Sequence, residues 1–185
     1  MSSTSFIKQY FTKPRTVGAI LPSSKYLGAK MVQNINFEDA TCIVEYGAGT
    51  GVFTRQLVKK RNKNTMLIIF EMNEEFCKSL KNEFKNQPNM YIVNDSAAKI
   101  GEYLAKYKQQ NASYVVSGLP FASIPKEISI EILTQTKKHI KKEGKFITFQ
   151  YSLLKKDFIG QFFKSIELTR EFRNIPPAYV LCCSK

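Results

Sequence analysis

Histidine and tryptophan are nearly absent from this sequence. The 185 residues contain one histidine, His139, and no tryptophan. His139 stands among lysines, so the sequence indicates no zinc site and no nucleophilic triad that depends on histidine. The four cysteines lack the spacing of a metal site, and we interpret them as reduced residues of a cytosolic protein.

Long apolar runs and acidic residues are also scarce. No apolar run is long enough to cross a bilayer, and the polar N-terminus has no features of a secretory signal. The 15 acidic residues are outnumbered by 28 lysines and arginines, which gives a formal net charge of +13. This charge favours anionic partners, either nucleic acid or the anionic face of a membrane.

The most informative stretch is the segment from Cys42 to Gly51, CIVEYGAGTG. It contains Glu45 and three alternating glycines, and helix-compatible sequence follows from Val52 to about Lys60. This order is typical of a buried strand, a tight turn and a helix N-terminus that offers free N–H groups to a ligand. Val52 occupies a position where the dinucleotide fingerprint requires glycine or alanine, and no P-loop sequence is present. The form E-x-G-x-G-x-G instead resembles motif I of S-adenosylmethionine (SAM)-dependent methyltransferases.

Strand-like and helix-like segments alternate through the first two-thirds of the chain. This alternation predicts an α/β fold with a mostly parallel sheet and helices on both faces. The last two strands are expected to pair antiparallel at the edge of the sheet. The expected strands are 42–46, 65–70, 90–93, 114–116, 145–151, 166–172 and 179–183, and the helices between them are 52–60, 74–84, 97–107, from 123 or 125 to about 144, and 155–163.

Polar residues follow several of these strands at their carboxyl ends. Glu71 follows the glycine turn at close to the ~20-residue interval at which a strand-end acid meets a ribose in nucleotide-binding folds. Asp95 could accept a hydrogen bond from an adenine amino group, or serve as the N-cap of the next helix. Open α/β sheets bind ligands at the rim formed by these strand ends. Glu45, the glycine turn, Glu71, Asp95 and residues 117–121 therefore form one candidate site.

The first 24 residues form a separate unit of the prediction. Residues 1–14 indicate a short amphipathic helix, ended by Pro14, that packs either on its own domain or on a lipid surface. Residues 15–24 are apolar and rich in helix-breaking residues, so we expect a loop that covers the cofactor. Ser23 or Ser24 is expected to cap the helix that continues through Val32.

Beyond the glycine motif, the sequence resembles the bacterial phospholipid N-methyltransferases, which convert phosphatidylethanolamine stepwise to its methylated forms with SAM. That family shares its fold with the ribosomal RNA adenine dimethylases. The resemblance runs nearly end to end and rests on K-P-x-x-V-G-A-I-x-P-S-S at residues 13–24, Glu45–Gly51, Phe70–Asn73, Val115–Pro120, Phe149–Tyr151 and Asn174–Ala178. It implies a Rossmann-like class I methyltransferase domain over residues 15–185, with a seven-stranded sheet, SAM as cofactor and S-adenosylhomocysteine as product.

The resemblance also implies roles for individual residues. Cofactor contacts are expected from Glu45, Gly47, Ala48, Gly49, Gly51, Glu71, Met72, Asp95, Ser96 and Ser117. The catalytic wall beside the methyl group is expected from Ser117, Gly118, Leu119 and Pro120, with Tyr151 approaching the head group. Membrane and head-group contacts are expected from Phe6, Ile7, Lys8, Tyr10, Phe11, Lys13 and Arg15. These roles predict a cytoplasmic enzyme that associates peripherally with an anionic phospholipid surface. Thr148 departs from the pattern, since relatives often carry glutamine there.

Gly118 separates the lipid enzymes from the related RNA enzymes. Adenine methyltransferases of RNA and DNA carry Asn or Asp at this position, and an aromatic residue that follows stacks on a flipped base. Gly118 offers no side chain to a planar amine, although Phe121 could still stack. The chain also ends soon after the last expected strand, where the RNA enzymes have an additional helical domain.

The favoured function is therefore methyl transfer to phosphatidylethanolamine or its methylated forms. An ornithine lipid or an adenine of ribosomal RNA is the alternative acceptor, and a SAM-binding module without activity or a small-molecule amine methyltransferase is less favoured. Catalysis is expected to come from alignment and exclusion of water, with bulk water or Tyr151 taking the proton of the amine. Phe121 and Tyr151 could stabilise the cationic product by cation–π contact.

Overall fold

The computed structural model describes residues 24–185, which form a seven-stranded sheet with helices on both faces. The strands are β1 Cys42–Tyr46, β2 Met66–Phe70, β3 Met90–Val93, β4 Ala112–Ser117, β5 Ile140–Gln150, β6 Ser165–Glu171 and β7 Ala178–Ser184. The helices are α1 Lys25–Met31, α2 Val52–Lys60, α3 Glu74–Glu83, α4 Ile100–Lys106, α5 Lys126–His139 and α6 Lys156–Gly160, and a 3-10 turn at Ala97–Lys99 leads into α4.

The strand order is β3-β2-β1-β4-β5-β7-β6. Strands β1 to β5 pair in parallel, and β7 runs antiparallel to both β5 and β6. The predicted α/β fold and the antiparallel C-terminal edge are confirmed. The chain reverses its direction of travel across the sheet between β3 and β4, so β1 and β4 flank the switch point beyond which such sheets bind ligands.

Successive residues of β1 face opposite sides of the sheet, which creates two cores. Val44 and Tyr46 pack with residues of α4, α5 and α6, whereas Ile43 packs with residues of α1, α2 and α3. Both faces of the parallel strands are therefore buried, as the continuous apolar runs of the central strands require.

The boundary between α5 and β5 lies earlier than the sequence predicts. Helix α5 ends at His139, not near Gly144, and residues 140–144 already belong to β5. Ile140 pairs with Ala112 of β4, and the register shifts just beyond that pair. A Cβ on Gly144 would lie 2.8 Å from the carbonyl oxygen of Ser113, so this glycine permits close strand approach instead of ending a helix. Lys141 and Lys142, which fall inside the predicted helix, lie in the strand.

The described part of the chain begins at the cap of α1. The Ser24 hydroxyl accepts a hydrogen bond from the Leu27 N–H at 3.2 Å, which identifies Ser24 as the cap. The predicted helix over residues 1–14, its membrane-contact residues and the loop up to residue 23 lie outside the described residues. Between residues 24 and 185, no helix is long and apolar enough to cross a bilayer.

Candidate active site

The glycine turn between β1 and α2 depends on backbone conformations that favour glycine. Gly47, Gly49 and Gly51 have φ angles of 65°, 53° and 83°, all in the left-handed region. A Cβ on Gly47 would also lie 2.7 Å from Leu119 Cδ2, and one on Gly51 would lie 2.8 Å from Leu80 Cδ2. The alternating glycines thus let the turn pass tightly over the end of β1 and begin α2.

Glu71 connects the end of β2 to this turn. Its Oε2 accepts a hydrogen bond from the Gly49 N–H at 2.7 Å, and its Oε1 accepts one from the Asn73 N–H at 2.8 Å. Burial raises the pKa of Glu71, and these backbone hydrogen bonds oppose the rise. A carboxylate has about four acceptor sites, so both oxygens can accept further hydrogen bonds from ribose hydroxyls. The structure therefore gives Glu71 a scaffolding role that the sequence did not indicate, beside the ribose role that remains a prediction.

Asp95 and Ser96 follow β3 at the same rim. The Ser96 hydroxyl caps the 3-10 turn by accepting from the Ala98 N–H at 3.2 Å, so the alternative in which Asp95 is the cap is wrong. Asp95 Oδ2 accepts from Lys99 Nζ and from the Tyr103 hydroxyl, each at 3.0 Å. Partial burial acts to raise the pKa of Asp95, but hydrogen bonds from Ser96, Lys99 and Tyr103 hold it below its ordinary value. Asp95 is thus an ionised carboxylate held in a fixed orientation.

Glu45 lies at the end of β1 and is fully buried. Its Oε2 accepts from the Thr54 hydroxyl at 2.8 Å, and its Oε1 has no hydrogen-bond partner among the described residues. Burial raises the pKa of Glu45 to about 8, with a smaller contribution from the charge of Glu71. The group is therefore protonated at neutral pH in this structure.

A narrow cleft lies where the glycine turn, the ends of β2 and β3 and the β4–α5 loop meet. Its lining residues are Gly47, Phe70, Glu71, Met72, Asp95, Ser96, Ala97, Leu119 and Ile132. The structure thus brings six of the predicted site residues together, whereas Glu45, Ala48, Gly49, Gly51 and Ser117 lie around the cleft without lining it. The lining combines mostly apolar side chains with the carboxylates of Glu71 and Asp95, a composition that suits the predicted nucleoside cofactor.

Three lining residues were not among the predicted site residues. Phe70 and Ala97 directly adjoin predicted residues, and their apolar character next to a strand-end acid could have indicated a wall for a planar base. Ile132 comes from the middle of α5, and no local signal in the sequence distinguishes it from other core residues of that helix.

The segment after β4 packs directly against the glycine turn. The Gly118 N–H donates to the Tyr46 carbonyl oxygen at 2.8 Å, and the Leu119 N–H donates to the Ser117 hydroxyl at 3.2 Å. A Cβ on Gly118 would lie 2.6 Å from the Gly47 carbonyl oxygen. Gly118 is therefore required by the close approach of two backbone segments. Pro120, the last member of the predicted wall, is half-buried.

The two aromatic residues expected near the acceptor are placed differently. Phe121 is fully buried and packs edge-on against Phe146, so the expectation that it stacks on a base or contacts the cationic product is wrong. Tyr151 follows β5 at the same rim as the cleft, is 37% exposed and packs edge-on against Phe149. Burial raises the pKa of Tyr151, which keeps its phenol protonated at neutral pH. Thr148 is buried and donates to the Ser117 carbonyl oxygen at 3.3 Å, so it supports the wall from behind.

Comparisons with known sequences agree with this geometry. Residues 3–161 match the family model described as ribosomal RNA adenine dimethylase. The chain is 30% identical to an ornithine lipid N-methyltransferase of Singulisphaera acidiphila, over 96% of this chain and 93% of that protein. It is 33% identical to an rRNA adenine N-6-methyltransferase of Lysinibacillus sphaericus, over 60% of this chain but only 40% of that protein.

Solved structures share the fold at low sequence identity. The precorrin-6y C5,15-methyltransferase of Geobacter metallireducens superposes with a TM-score of 0.67 at 14% identity, covering 86% of this chain and 88% of that one. The T. thermophilus 16S rRNA N2 G1207 methyltransferase gives a TM-score of 0.66 at 15% identity, covering 92% of this chain and 45% of that one. The Rossmann-like methyltransferase fold that the family resemblance implied is confirmed.

Proposed function

Because this chain belongs to the ribosomal RNA adenine dimethylase family and is a SAM-dependent methyltransferase, we propose that it methylates the amine of a membrane lipid head group. The predicted cofactor is confirmed by the family. The observation that supports a lipid acceptor is coverage: the similarity to an ornithine lipid N-methyltransferase extends over nearly all of both proteins. An ornithine lipid is accordingly the first candidate acceptor, and phosphatidylethanolamine, to which the sequence motifs point, is the second.

The wall beside the proposed methyl position favours a lipid amine over an adenine. Adenine enzymes need a side-chain acceptor for the planar amine and an aromatic platform for the extruded base. Gly118 provides no side chain, and a Cβ there would collide with the Gly47 carbonyl oxygen. Phe121, the aromatic residue of this segment, lies in the core. A tetrahedral lipid amine requires neither feature, since backbone carbonyl groups of the 117–118 turn can orient it.

The cofactor site proposed here uses the residues of the cleft. The glycine turn would hold the methionine half of SAM, Glu71 the ribose, and Asp95 the adenine amino group. Bound SAM supplies a methyl group already activated by the sulfonium charge. The contribution of the protein is then to align the amine with that methyl group and to exclude water, an effect that can reach ~7–11 kcal/mol in favourable cases.

The incoming amine must lose a proton before it can attack. The phenol of Tyr151 has a raised pKa and stays protonated at neutral pH, so it is a poor proton acceptor. Glu71 and Asp95 both accept hydrogen bonds from the protein, and we place them at the cofactor. Bulk water at the open end of the cleft is therefore the proposed acceptor of the proton.

Peripheral association with an anionic membrane completes the proposal. The net charge of +13 provides attraction to anionic lipids, and the amphipathic pattern of residues 1–14 provides apolar contact. Nucleic acid is the alternative anionic partner, and it is the one that an RNA substrate requires.

A labelling experiment tests the acceptor. The protein is incubated with methyl-labelled SAM and, in separate reactions, with vesicles containing ornithine lipid, vesicles containing phosphatidylethanolamine, or ribosomal RNA. Label should appear in lipid on thin-layer chromatography and should be lost in a Glu71→Gln variant, which shows that the described cleft is responsible. Label in RNA and not in lipid would refute the proposal. SAM binding by calorimetry without transfer to any substrate would indicate a binding module.

A further inference from the structure

Large apolar side chains are exposed on three segments that meet at the rim of the sheet. Phe172 is 66% exposed, Ile175 80% and Leu154 87%. Exposed apolar residues are ordinary when scattered, but a contiguous group marks an interaction site. We name this group the rim surface and define it as Tyr26, Tyr151, Leu153, Leu154, Phe172 and Ile175.

Strand pairing places two of the segments side by side. Gln150, the last residue of β5, pairs with Tyr179 of β7, and Glu171 of β6 pairs with Ala178. The loop over 151–155 therefore leaves the sheet next to the β6–β7 turn.

Asn174 joins the third segment to this pair. The buried Asn174 side chain accepts a hydrogen bond from the Ser24 N–H at 2.9 Å and interacts with the Tyr151 hydroxyl. The Arg173 guanidinium lies 4.4 Å from the centre of the Tyr26 ring. The start of α1, the end of β5 and the β6–β7 turn thus form one continuous surface.

The rim surface lies at the same edge of the sheet as the candidate active site. Strand β5 is parallel to β4, and β4 is parallel to β1, so the end of β5 lies at the same rim as the glycine turn. A partner that covers the rim surface would therefore lie at the edge of the sheet that carries the cleft.

Positive charge surrounds the apolar side chains. Lys25 lies over the Tyr26 ring at 5.3 Å, Arg170 over the Phe172 ring at 4.7 Å, and Lys155 over the Phe158 ring at 5.3 Å. The sequences YSLLKK at 151–156 and FRNIPP at 172–177 contain no acidic residue, and Glu171, which precedes the second of them, is paired with Arg173 at 2.9 Å. Apolar tips flanked by long cationic side chains match a bilayer interface, where the tips enter the acyl region and the cations meet anionic head groups.

We propose that the rim surface inserts into the anionic leaflet of a membrane and is a second contact, distinct from the amphipathic N-terminus. This contact would deliver lipid amines to the cleft, and that role rests on the proposed function. A second copy of the chain is a poorer occupant, because a symmetric contact would bring Lys25, Lys155 and Arg170 of one copy against those of the other.

The absence of tryptophan from the chain allows a direct test. In a Leu154→Trp variant of the full chain, the sole indole lies at the most exposed position of the rim surface. Vesicles of phosphatidylethanolamine and phosphatidylglycerol should shift its emission to shorter wavelength, and brominated acyl chains should quench it. The matched control is Leu168→Trp on β6, where the native side chain is similarly apolar but 37% exposed and outside the rim surface. No shift at residue 154, or equal shifts at both positions, would overturn the proposal.

Vesicle sedimentation provides an independent measurement. A variant with Leu154, Phe172 and Ile175 all changed to Ser should bind the same vesicles roughly tenfold more weakly or worse, because binding scales with the apolar area that is inserted. A control with Ile130→Ser and Leu168→Ser should stay within about twofold, since binding depends on inserted area and these positions lie elsewhere. Calorimetric SAM binding and thermal unfolding verify that both variants fold.

The outcomes separate this inference from the proposed function. If the triple serine variant binds vesicles more weakly but methylates a short-chain lipid, below its micelle concentration, as fast as the wild type, both the membrane contact of the rim surface and the lipid acceptor are supported. If the triple serine variant binds vesicles more weakly but the wild type methylates no lipid, the membrane contact of the rim surface is supported and the lipid acceptor is refuted. Unchanged vesicle binding, with a dimer converted to a monomer in sedimentation velocity, would identify a second copy as the occupant and overturn the inference.

Discussion

The buried Glu45 carboxyl should lower the stability of the folded protein as the pH rises towards 8. Its pKa is about 8 in the folded state against an ordinary value of 4.5. Between these values the folded protein holds a proton that the unfolded chain has released, so increasing pH favours the unfolded chain. The contribution of this group to stability is complete below pH 4.5 and is lost as the pH rises through the folded pKa.

The size of the effect follows from the width of that interval. Each pH unit inside it changes the free energy of unfolding by about 1.4 kcal/mol. Between about pH 5.5 and pH 7.5 the wild type should therefore lose about 2–3 kcal/mol that a Glu45→Gln variant keeps. Glutamine cannot ionise, and its side-chain carbonyl oxygen can still accept the hydrogen bond from Thr54.

Urea unfolding at several pH values measures this difference. Burial lowers the pKa of His139, which changes stability in the opposite direction over part of the same range, but this contribution is common to all variants and cancels. Glu131→Gln, at an exposed position of α5, is the matched control and should follow the wild type. Parallel profiles for the wild type and Glu45→Gln would show that Glu45 is ionised in the folded protein and would refute the reasoning.

Three further changes test the site and the membrane contact. Glu71→Gln should weaken SAM binding roughly tenfold or more in calorimetry, because a charged acceptor is lost at the turn. Gly118→Ala should cost about 1–3 kcal/mol of stability and most of the activity, since its Cβ would meet the Gly47 carbonyl oxygen at 2.6 Å. Gly160→Ala is the control, because there a Cβ meets only the Ile166 side chain at 3.5 Å, and equal losses would contradict the argument. Deleting residues 1–12 should reduce vesicle sedimentation and leave SAM binding intact, and unchanged sedimentation would remove this segment as an anchor.

The parts of the fold that the sequence predicts are those controlled by local signals. Strand β1 is an unbroken apolar run, and three glycines in alternation permit a turn that other residues rarely adopt, so β1, the turn and α2 are predicted within a residue of their bounds. The strand-end positions of Glu71 and Asp95 follow from the same alternation. Because parallel strands end at one rim, sequence order alone indicates that these acids lie near the turn.

The features that the sequence does not predict depend on distant partners. Residues 140–144 have lysines and a glycine typical of a helix end, and only pairing with β4 makes them a strand. Phe121 follows a motif in which an aromatic residue can serve as a stacking platform, but its position is decided by the space beside Phe146 in the core. Nothing local distinguishes the buried, unpaired oxygen of Glu45 from an exposed one, because desolvation is a property of the assembled sheet.

The hydrogen bond between Ser24 and Asn174 joins positions 150 residues apart and fixes where the first 23 residues leave the rim. Whatever their shape, residues 13–23 span at most about 40 Å when fully extended. An anchor formed by the first dozen residues would therefore remain within that radius of the β6–β7 turn. Once either contact is made, the other becomes intramolecular, at an effective concentration on the order of millimolar for so short a tether. Two individually weak attachments would then act as one with high avidity, and the enzyme could remain on the bilayer through successive methyl transfers.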